Sequence, residues 1–317
     1  MKKLIKLLAA LALALSLTVI AAGAEDAPVR VGGLKGPTGM ALAHMMTEND
    51  GAYTFTLAGA PTELTGLLIK GDVDIAAVPV NLGAVLYNKT QGGVKALSLI
   101  TRGMLYVLEK GDSIHSVADL AGKTIVTAGQ GSTPEYVMNY ILEANGVEAD
   151  LDFKSEHAEV TTLALNGLAD VVLVPEPHVT TLMTKEPAYR KALDITEEFA
   201  AAARKKGVEN AQLSMSVVVV RSEFCAAHPE KVAAFMQALE ASIAFANENV
   251  AEAAQEIAEQ GIIASAAVAE KALPSCSLVF ISGEEMQAQA APLYDILFAA
   301  NPASVGGAAP ADDYYVK

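Results

Sequence analysis

The chain has 317 residues, 52% hydrophobic and 19% charged, with 22 basic and 37 acidic side chains giving a formal net charge of −15. That length allows about two domains, and the apolar content allows a large core with little disorder. Acidity without a basic stripe excludes nucleic acid and anionic membrane surfaces as partners. The absence of tryptophan, with only 5% aromatic residues, disfavours a sugar ligand that would need rings to stack on.

In chain order, Lys2, Lys3 and Lys6 precede an almost wholly apolar run from Leu7 to Ala22. Ala22-Gly23-Ala24 then offers a small-x-small cleavage site before Glu25-Asp26. This order predicts a signal peptide over residues 1–24. The cleavage site lacks a cysteine, so the expected product is a soluble periplasmic protein and not a lipoprotein.

Alternating strands and helices follow. Val29–Gly33 reads as a strand, Pro37–Met46 as a helix, Tyr53–Leu57 as a strand, Pro61–Lys70 as a helix, and Asp74–Val78 as a strand ending in Pro79. The same order recurs as strand Thr124–Thr127, helix Pro134–Ala144, strand Leu151–Lys154, helix His157–Leu168, and strand Asp170–Val174 ending in Pro175. Gly33, Gly71, Asp74, Val78 and Pro79 match Gly129, Gly167, Asp170, Val174 and Pro175, each pair 96 positions apart. One register through five positions marks a duplication. The expected fold class is α/β, with two similar lobes of mostly parallel sheet covered by helices.

Leu105–Leu108 and the β-branched run Met215–Val220 read as two crossings between the lobes. Lobe one would comprise residues 25–104 plus 221–317, and lobe two residues 105–220. Val232, Phe235, Met236, Leu239 and Ile243 recur at helical spacing and predict one buried helix face. Ala251–Gln260 and Ala264–Leu273 read as further helices, and Asn301–Pro310 as a surface tail. Cys225 and Cys276 are the two cysteines; spacing alone leaves open whether they pair or pack as small apolar residues.

Ligands bind at the carboxyl ends of strands in open parallel sheets, so two facing lobes place four loops around one cleft. In the first loop Gly36 is a candidate helix cap, Pro37 suits the first helical position, and the Thr38 hydroxyl adds a donor. In the matching loop, Gln130, Ser132 and Thr133 precede a helix, although Ser132 with Glu135 also fits a capping box that would use those donors internally. Asn81 follows Pro79 and can donate and accept. Glu176 lies between two prolines that restrict it, either contacting a ligand or capping a helix. Arg102, beside the first crossing, could pair with a ligand anion or an internal acid, and His178 adjoins the same loops. No nucleophile elbow, Walker loop, dinucleotide fingerprint or metal-ligand spacing is present, so no cofactor or metal is expected.

Gly36-Pro-Thr-Gly39, Gly71-Asp-Val-Asp-Ile-Ala-Ala-Val-Pro-Val-Asn81, Ser116-Val-Ala-Asp-Leu-Ala-Gly-Lys-Thr124 and Gly129-Gln-Gly-Ser-Thr-Pro-Glu-Tyr136 resemble ABC-transporter substrate-binding proteins of the nitrate, sulfonate and taurine type. Proteins binding thiamine pyrimidine precursors belong to the same group. The resemblance covers the whole mature chain. It implies a type II periplasmic-binding fold with two hinge crossings, working as a monomer with a separate permease and ATPase that are its only link to the membrane. It also carries the family's cleft positions onto Thr38, Asn81, Ser132, Thr133 and Glu176. The same fold hosts enzymes of pyrimidine-precursor and menaquinone pathways. An enzyme reading would use Glu176 and His178 as its acid–base pair.

Overall fold

The computed structural model describes residues 27–317, so the leader expected at residues 1–24 lies outside the described residues. Eleven strands follow in chain order: β1 Val29–Leu34, β2 Tyr53–Ala58, β3 Ile75–Pro79, β4 Val94–Arg102, β5 Leu105–Lys110, β6 Thr124–Ala128, β7 Asp150–Lys154, β8 Val171–Pro175, β9 Tyr189–Asp194, β10 Ser214–Arg221 and β11 Leu278–Ser282. They form a six-stranded sheet ordered β11-β4-β10-β3-β1-β2 and a five-stranded sheet ordered β7-β6-β8-β5-β9.

The two sheets share one plan. In the first, β2, β1 and β3 run parallel and β10 lies antiparallel against β3. In the second, β7, β6 and β8 run parallel and β5 lies antiparallel against β8. The registers correspond: Val78 pairs with Val217 where Val174 pairs with Tyr106. Even the strand-entry bonds match, with the Arg221 N–H donating to Asp74 O at 2.9 Å and the Lys110 N–H donating to Asp170 O at 2.8 Å. The 96-residue sequence period therefore describes a duplicated half-structure.

The central strands β3, β8 and β10 are buried on both faces, which is why they read as near-continuous apolar runs, whereas the edge strands β2 and β7 keep half-buried and exposed residues. Alternate residues serve different cores. Ala76, Val78, Val217 and Val219 face one cluster, shared with Leu105, Val107 and Leu173 of the second sheet. Ile75, Ala77, Val218 and Val220 face a second cluster beneath the helix Pro229–Glu248. That helix buries Val232, Phe235, Leu239 and Ile243, whereas Met236 is only partly buried. Complete burial of Phe235 contributes about 1.5–3 kcal/mol relative to exposure.

The two crossings, which the resemblance gives as strands, are strands: β5 lies in the second sheet, and β10 sits between β3 and β4 in the first. Sheet membership thus places Ser214–Arg221 with lobe one, and we propose a lobe boundary before Ser214 in place of residue 220. The helix expected over Pro37–Met46 is two short helices, Pro37–Met40 and Ala43–Thr47. The tail from Asn301 to Pro310 is not a free surface segment. It carries a 3₁₀ turn at Pro302–Val305 and buries Ser304 and Val305. The Asn88 side chain donates to the carbonyls of Val305 and Ala308 at 2.7 Å each. Cys225 and Cys276 are separate free thiols, and burial pushes the Cys276 thiol up, reinforced by Glu176.

Candidate functional site

The strand ends with Pro79 and Pro175 converge from the two sheets on one cavity of about 420 Å³. A larger groove of about 880 Å³ runs between Tyr136, Tyr140 and Lys206 of one lobe and Pro292, Asp295 and Asn301 of the other. The smaller cavity is the candidate site, because the duplicated loops meet there, whereas the larger groove runs along the helix Thr133–Asn145 from Glu135 to Glu143 and is lined by neither the Pro79 nor the Pro175 loop.

The first loop is shaped by glycine. Gly36 has φ +97°, a region favouring residues without a Cβ. A Cβ on Gly39 would lie 2.7 Å from the Leu34 carbonyl oxygen and 3.0 Å from Ile262, so only glycine lets this turn close against β1. The turn points Thr38 into the cavity, with its hydroxyl donating to Leu34 O at 3.0 Å. In the matching loop Ser132 starts the helix Thr133–Asn145. Its hydroxyl donates to Gly129 O at 2.6 Å, and Glu135 accepts from the Gly131 N–H. The capping box that Ser132 and Glu135 could have made is absent: Glu135 accepts one residue before Ser132, and the Ser132 hydroxyl donates backwards where a cap would accept.

Thr38, Asn81, Ser132, Thr133 and Glu176 all line the cavity. The lobes touch there: the Thr133 hydroxyl donates to Asn81 Oδ1 at 3.3 Å. Asn81 is held in turn by the C-terminal segment, donating to Ser304 O at 3.4 Å.

Four expected residues lie off the cavity. Gly36 is the hinge of its turn and its neighbours do the lining. Gln130 is exposed. Arg102 ends β4 and donates to Gln212 Oε1 at 3.1 Å, on another part of the surface. His178 sits behind the lining, its Nδ1 3.1 Å from the Thr161 hydroxyl. The same hydroxyl lies 2.9 Å from His157 O, to which it can also donate.

Glu176 is 1% exposed, yet its carboxylate is already engaged. Oε2 accepts from the Thr180 N–H at 3.0 Å, and Oε1 faces Lys191 Nζ at 3.4 Å. Lys191 also lies 3.9 Å over the Tyr106 ring and 3.2 Å from Ser275 Oγ of the opposite lobe. Burial, with the carboxylates of Asp194 and Glu176 nearby, pushes the Tyr106 hydroxyl up to about 12.

Sequence reasoning missed His157, Lys35, Met104 and Met215, all in the lining. The repeat held a signal for one of them. The 96-residue offset pairs Pro61 with His157, and both line the cavity. His157 Nδ1 is buried without a hydrogen-bond partner, and burial beside His178 lowers the imidazole to about 4. Met104 and Met215 lie where the chain passes between sheets, a place defined only by the three-dimensional pairing of β5 and β10.

Among the described residues no group of three or more His, Cys, Asp or Glu side chains is placed to hold a metal. The cavity offers a mostly apolar wall with a few hydroxyl and amide groups, and His157 contributes to that wall with its Nδ1 closed off. That equipment binds and orients a small molecule.

Comparison with known proteins bears on the fold. An ABC transporter structure from Parabacteroides distasonis superposes with TM-score 0.78 at 23% identity, covering 92% of this chain and 99% of that chain. The periplasmic aliphatic sulphonate binding protein SsuA from Escherichia coli superposes with TM-score 0.71 at 15% identity, covering 92% of each chain. The alkanesulfonate-binding protein SsuA from Xanthomonas axonopodis pv. citri, bound to MOPS, gives TM-score 0.63 at 16% identity, covering 86% of this chain and 93% of that one. A search of curated proteins finds no significant match. Residues 59–253 match the model described as NMT1/THI5 like. With more than half of its length matched and two duplicated lobes of periplasmic-binding-protein type, the chain belongs to the NMT1/THI5-like family.

Proposed function

We propose that this protein is an exported solute-binding protein of an ABC importer. It captures a small organic molecule in the inter-lobe cleft and delivers it to a membrane permease. The observation that carries the reading is the convergence of equivalent loops from two separate sheets on one cavity, with Thr133 and Asn81 meeting across it. A guest touching both lobes favours their closed arrangement, and only such differential contact can shift an open–closed equilibrium. Likeness in fold to sulfonate-binding proteins supports the reading, as does the basic-apolar leader of the sequence, which also supports a periplasmic location. The described residues contain no helix long and apolar enough to cross a membrane. A cavity of about 420 Å³ suits a sulfonate-, amino-acid- or pyrimidine-sized solute.

The geometry argues against Glu176 and His178 as an acid–base pair. Glu176 is occupied by Lys191 and Thr180, and His178 is tied to Thr161 behind the lining. Solution scattering of the purified protein, with and without the molecule that co-purifies with it, tests the proposal. The expected result is compaction at saturation and stoichiometric binding without turnover. An unchanged radius, or a released product, overturns it.

A further inference from the structure

The hydroxyls that line the cleft differ in how far the protein already satisfies them, which bears on the guest of the solute-binding reading above. The Thr38 hydroxyl has an acceptor in Leu34 O, the Ser132 hydroxyl in Gly129 O, and the Thr133 hydroxyl in Asn81 Oδ1. Ser216 lines the same cavity and is 3% exposed, yet its hydroxyl has no hydrogen-bond partner among the described residues. Unpartnered hydroxyls also occur at Ser98 and Thr101 of β4 and at Ser214 of β10, but those atoms are sealed. Ser216 Oγ is not closed off in this way, and the small area that this residue exposes opens on the cavity.

The sheet does not require a hydroxyl at this position. Ser216 stands opposite Pro79 in the ladder of the first sheet, and the equivalent place in the second sheet, opposite Pro175, is held by Leu105. Leu105 is fully buried, so an apolar side chain serves the duplicated position. Val217, Val218, Val219 and Val220 continue β10 as an apolar run. A buried hydroxyl without a partner costs stability, and buried polar groups are seldom left so. The partner of Ser216 is therefore sought in what fills the cavity.

The neighbourhood of Ser216 defines the chemistry of that partner. Pro79, opposite it, is the N-cap of the helix Val80–Lys89, which has neither a side-chain cap nor an acid in its first turn. Its leading N–H groups lack an acceptor within the helix, and the helix dipole favours electron-rich atoms there. Asn81, in that same turn, gives one amide hydrogen to Ser304 O and keeps a second. Pro79, Asn81 and Ser216 all line the cavity, so its wall gathers donors around the start of this helix.

We propose that Ser216 is a specificity-determining contact of the cleft, its hydroxyl donating to an acceptor oxygen of the guest at the start of the helix Val80–Lys89. The oxygen belongs either to an ionised group, such as a sulfonate or carboxylate, or to a neutral amide or ring carbonyl.

Calorimetry with benzenesulfonate, benzenesulfonamide, benzoate, benzamide and cytosine tests this. The tighter member of each of the two isosteric pairs assigns the oxygen to an ionised or a neutral group. Ser216→Ala removes the hydroxyl with little change of shape. It is expected to weaken the tightest probe at least about fivefold if that probe is neutral and at least about tenfold if it is an anion. The melting temperature should equal or exceed that of the unaltered chain, because the hydroxyl lost has no partner in the empty protein. Ser98→Ala, which deletes a sealed hydroxyl of β4, is expected to leave the dissociation constant within about twofold. A crystal of the complex with the tightest probe should place a probe oxygen within about 3.2 Å of Ser216 Oγ. Full affinity in Ser216→Ala, a weakening matched by a lowered melting temperature, or a complex with no oxygen at Ser216 overturns the proposal while leaving solute binding intact. If none of the five probes binds, the molecule that acid releases from natively purified protein takes their place in the same measurements. No binding and no released molecule overturns the solute-binding reading, and the proposal with it.

Discussion

Thr133 and Asn81 belong to different lobes, yet the Thr133 hydroxyl donates to Asn81 Oδ1 at 3.3 Å across the cleft. Both positions follow strands that end at the cavity, so the bond joins the two halves of the duplication at the place where a guest would lie. It is a direct polar link between the facing loops.

Removing that link should favour the open form. Thr133→Val keeps the shape and deletes the donor, and a net hydrogen bond is worth about 1 kcal/mol. The closed population without guest should fall roughly fivefold relative to the open one, read as a larger radius in solution scattering. An unchanged radius would show that the bond is incidental to closure.

Lys191 should be needed because of Glu176. Lys191→Met leaves a carboxylate that is 1% exposed without its cation, and such a loss costs about 1–3 kcal/mol. Glu176→Gln in the same chain removes the stranded charge and should recover most of the loss. Urea unfolding of the two single variants and the double variant gives the coupling. Simple additivity would mean the pair does not interact.

Stability should depend on acid through His157. Its imidazole is lowered from 6.5 to about 4 in the folded protein, by burial first and by His178 second. The unfolded chain therefore takes up a proton between those values while the folded chain does not, so unfolding becomes easier as pH falls from 6.5 towards 4. Above pH 6.5 the contribution is level. The full depression corresponds to about 3 kcal/mol, and His178, also lowered by burial, acts in the same direction. His157→Leu should flatten this part of the stability–pH curve, measured by denaturant midpoints at each pH.

The C-terminal segment should behave as part of the core. A Cβ on Gly83 would stand 2.5 Å from the Tyr314 hydroxyl and 2.7 Å from Val217 Cγ1. Gly83→Ala therefore overpacks the seat of Tyr314, with an expected loss of about 1–3 kcal/mol. A thermal melt matching that of the unaltered chain would show that this segment can shift without cost.

Much of the fold was legible because its determinants are local. Pro61–Lys70 was readable to the residue, since Pro61 fits a first helical turn and Gly71, at φ +77°, ends it. Met215–Val220 was readable as a β-branched run, but not as a strand of the first sheet. Its place between β3 and β4 depends on partners more than a hundred residues away. The tail at Asn301–Pro310 misled for the same reason. Its glycines and prolines describe turns, and nothing local reveals that Asn88 and Asn81 hold its carbonyls.

By itself the sequence determined that the protein is a duplication, because a 96-residue period in glycine, aspartate and proline survives without reference to space. It also determined which loops sit at strand ends, and hence that Thr38, Asn81, Ser132, Thr133 and Glu176 belong to one neighbourhood. Only the tertiary structure decided which polar groups there are already satisfied. Glu176 is neutralised by Lys191 from β9, Arg102 is spent on Gln212, and His157 Nδ1 is buried without a partner. Hydrogen bonds and ion pairs act over a few ångströms, and residues far apart along the chain reach that range only once the sheets have formed.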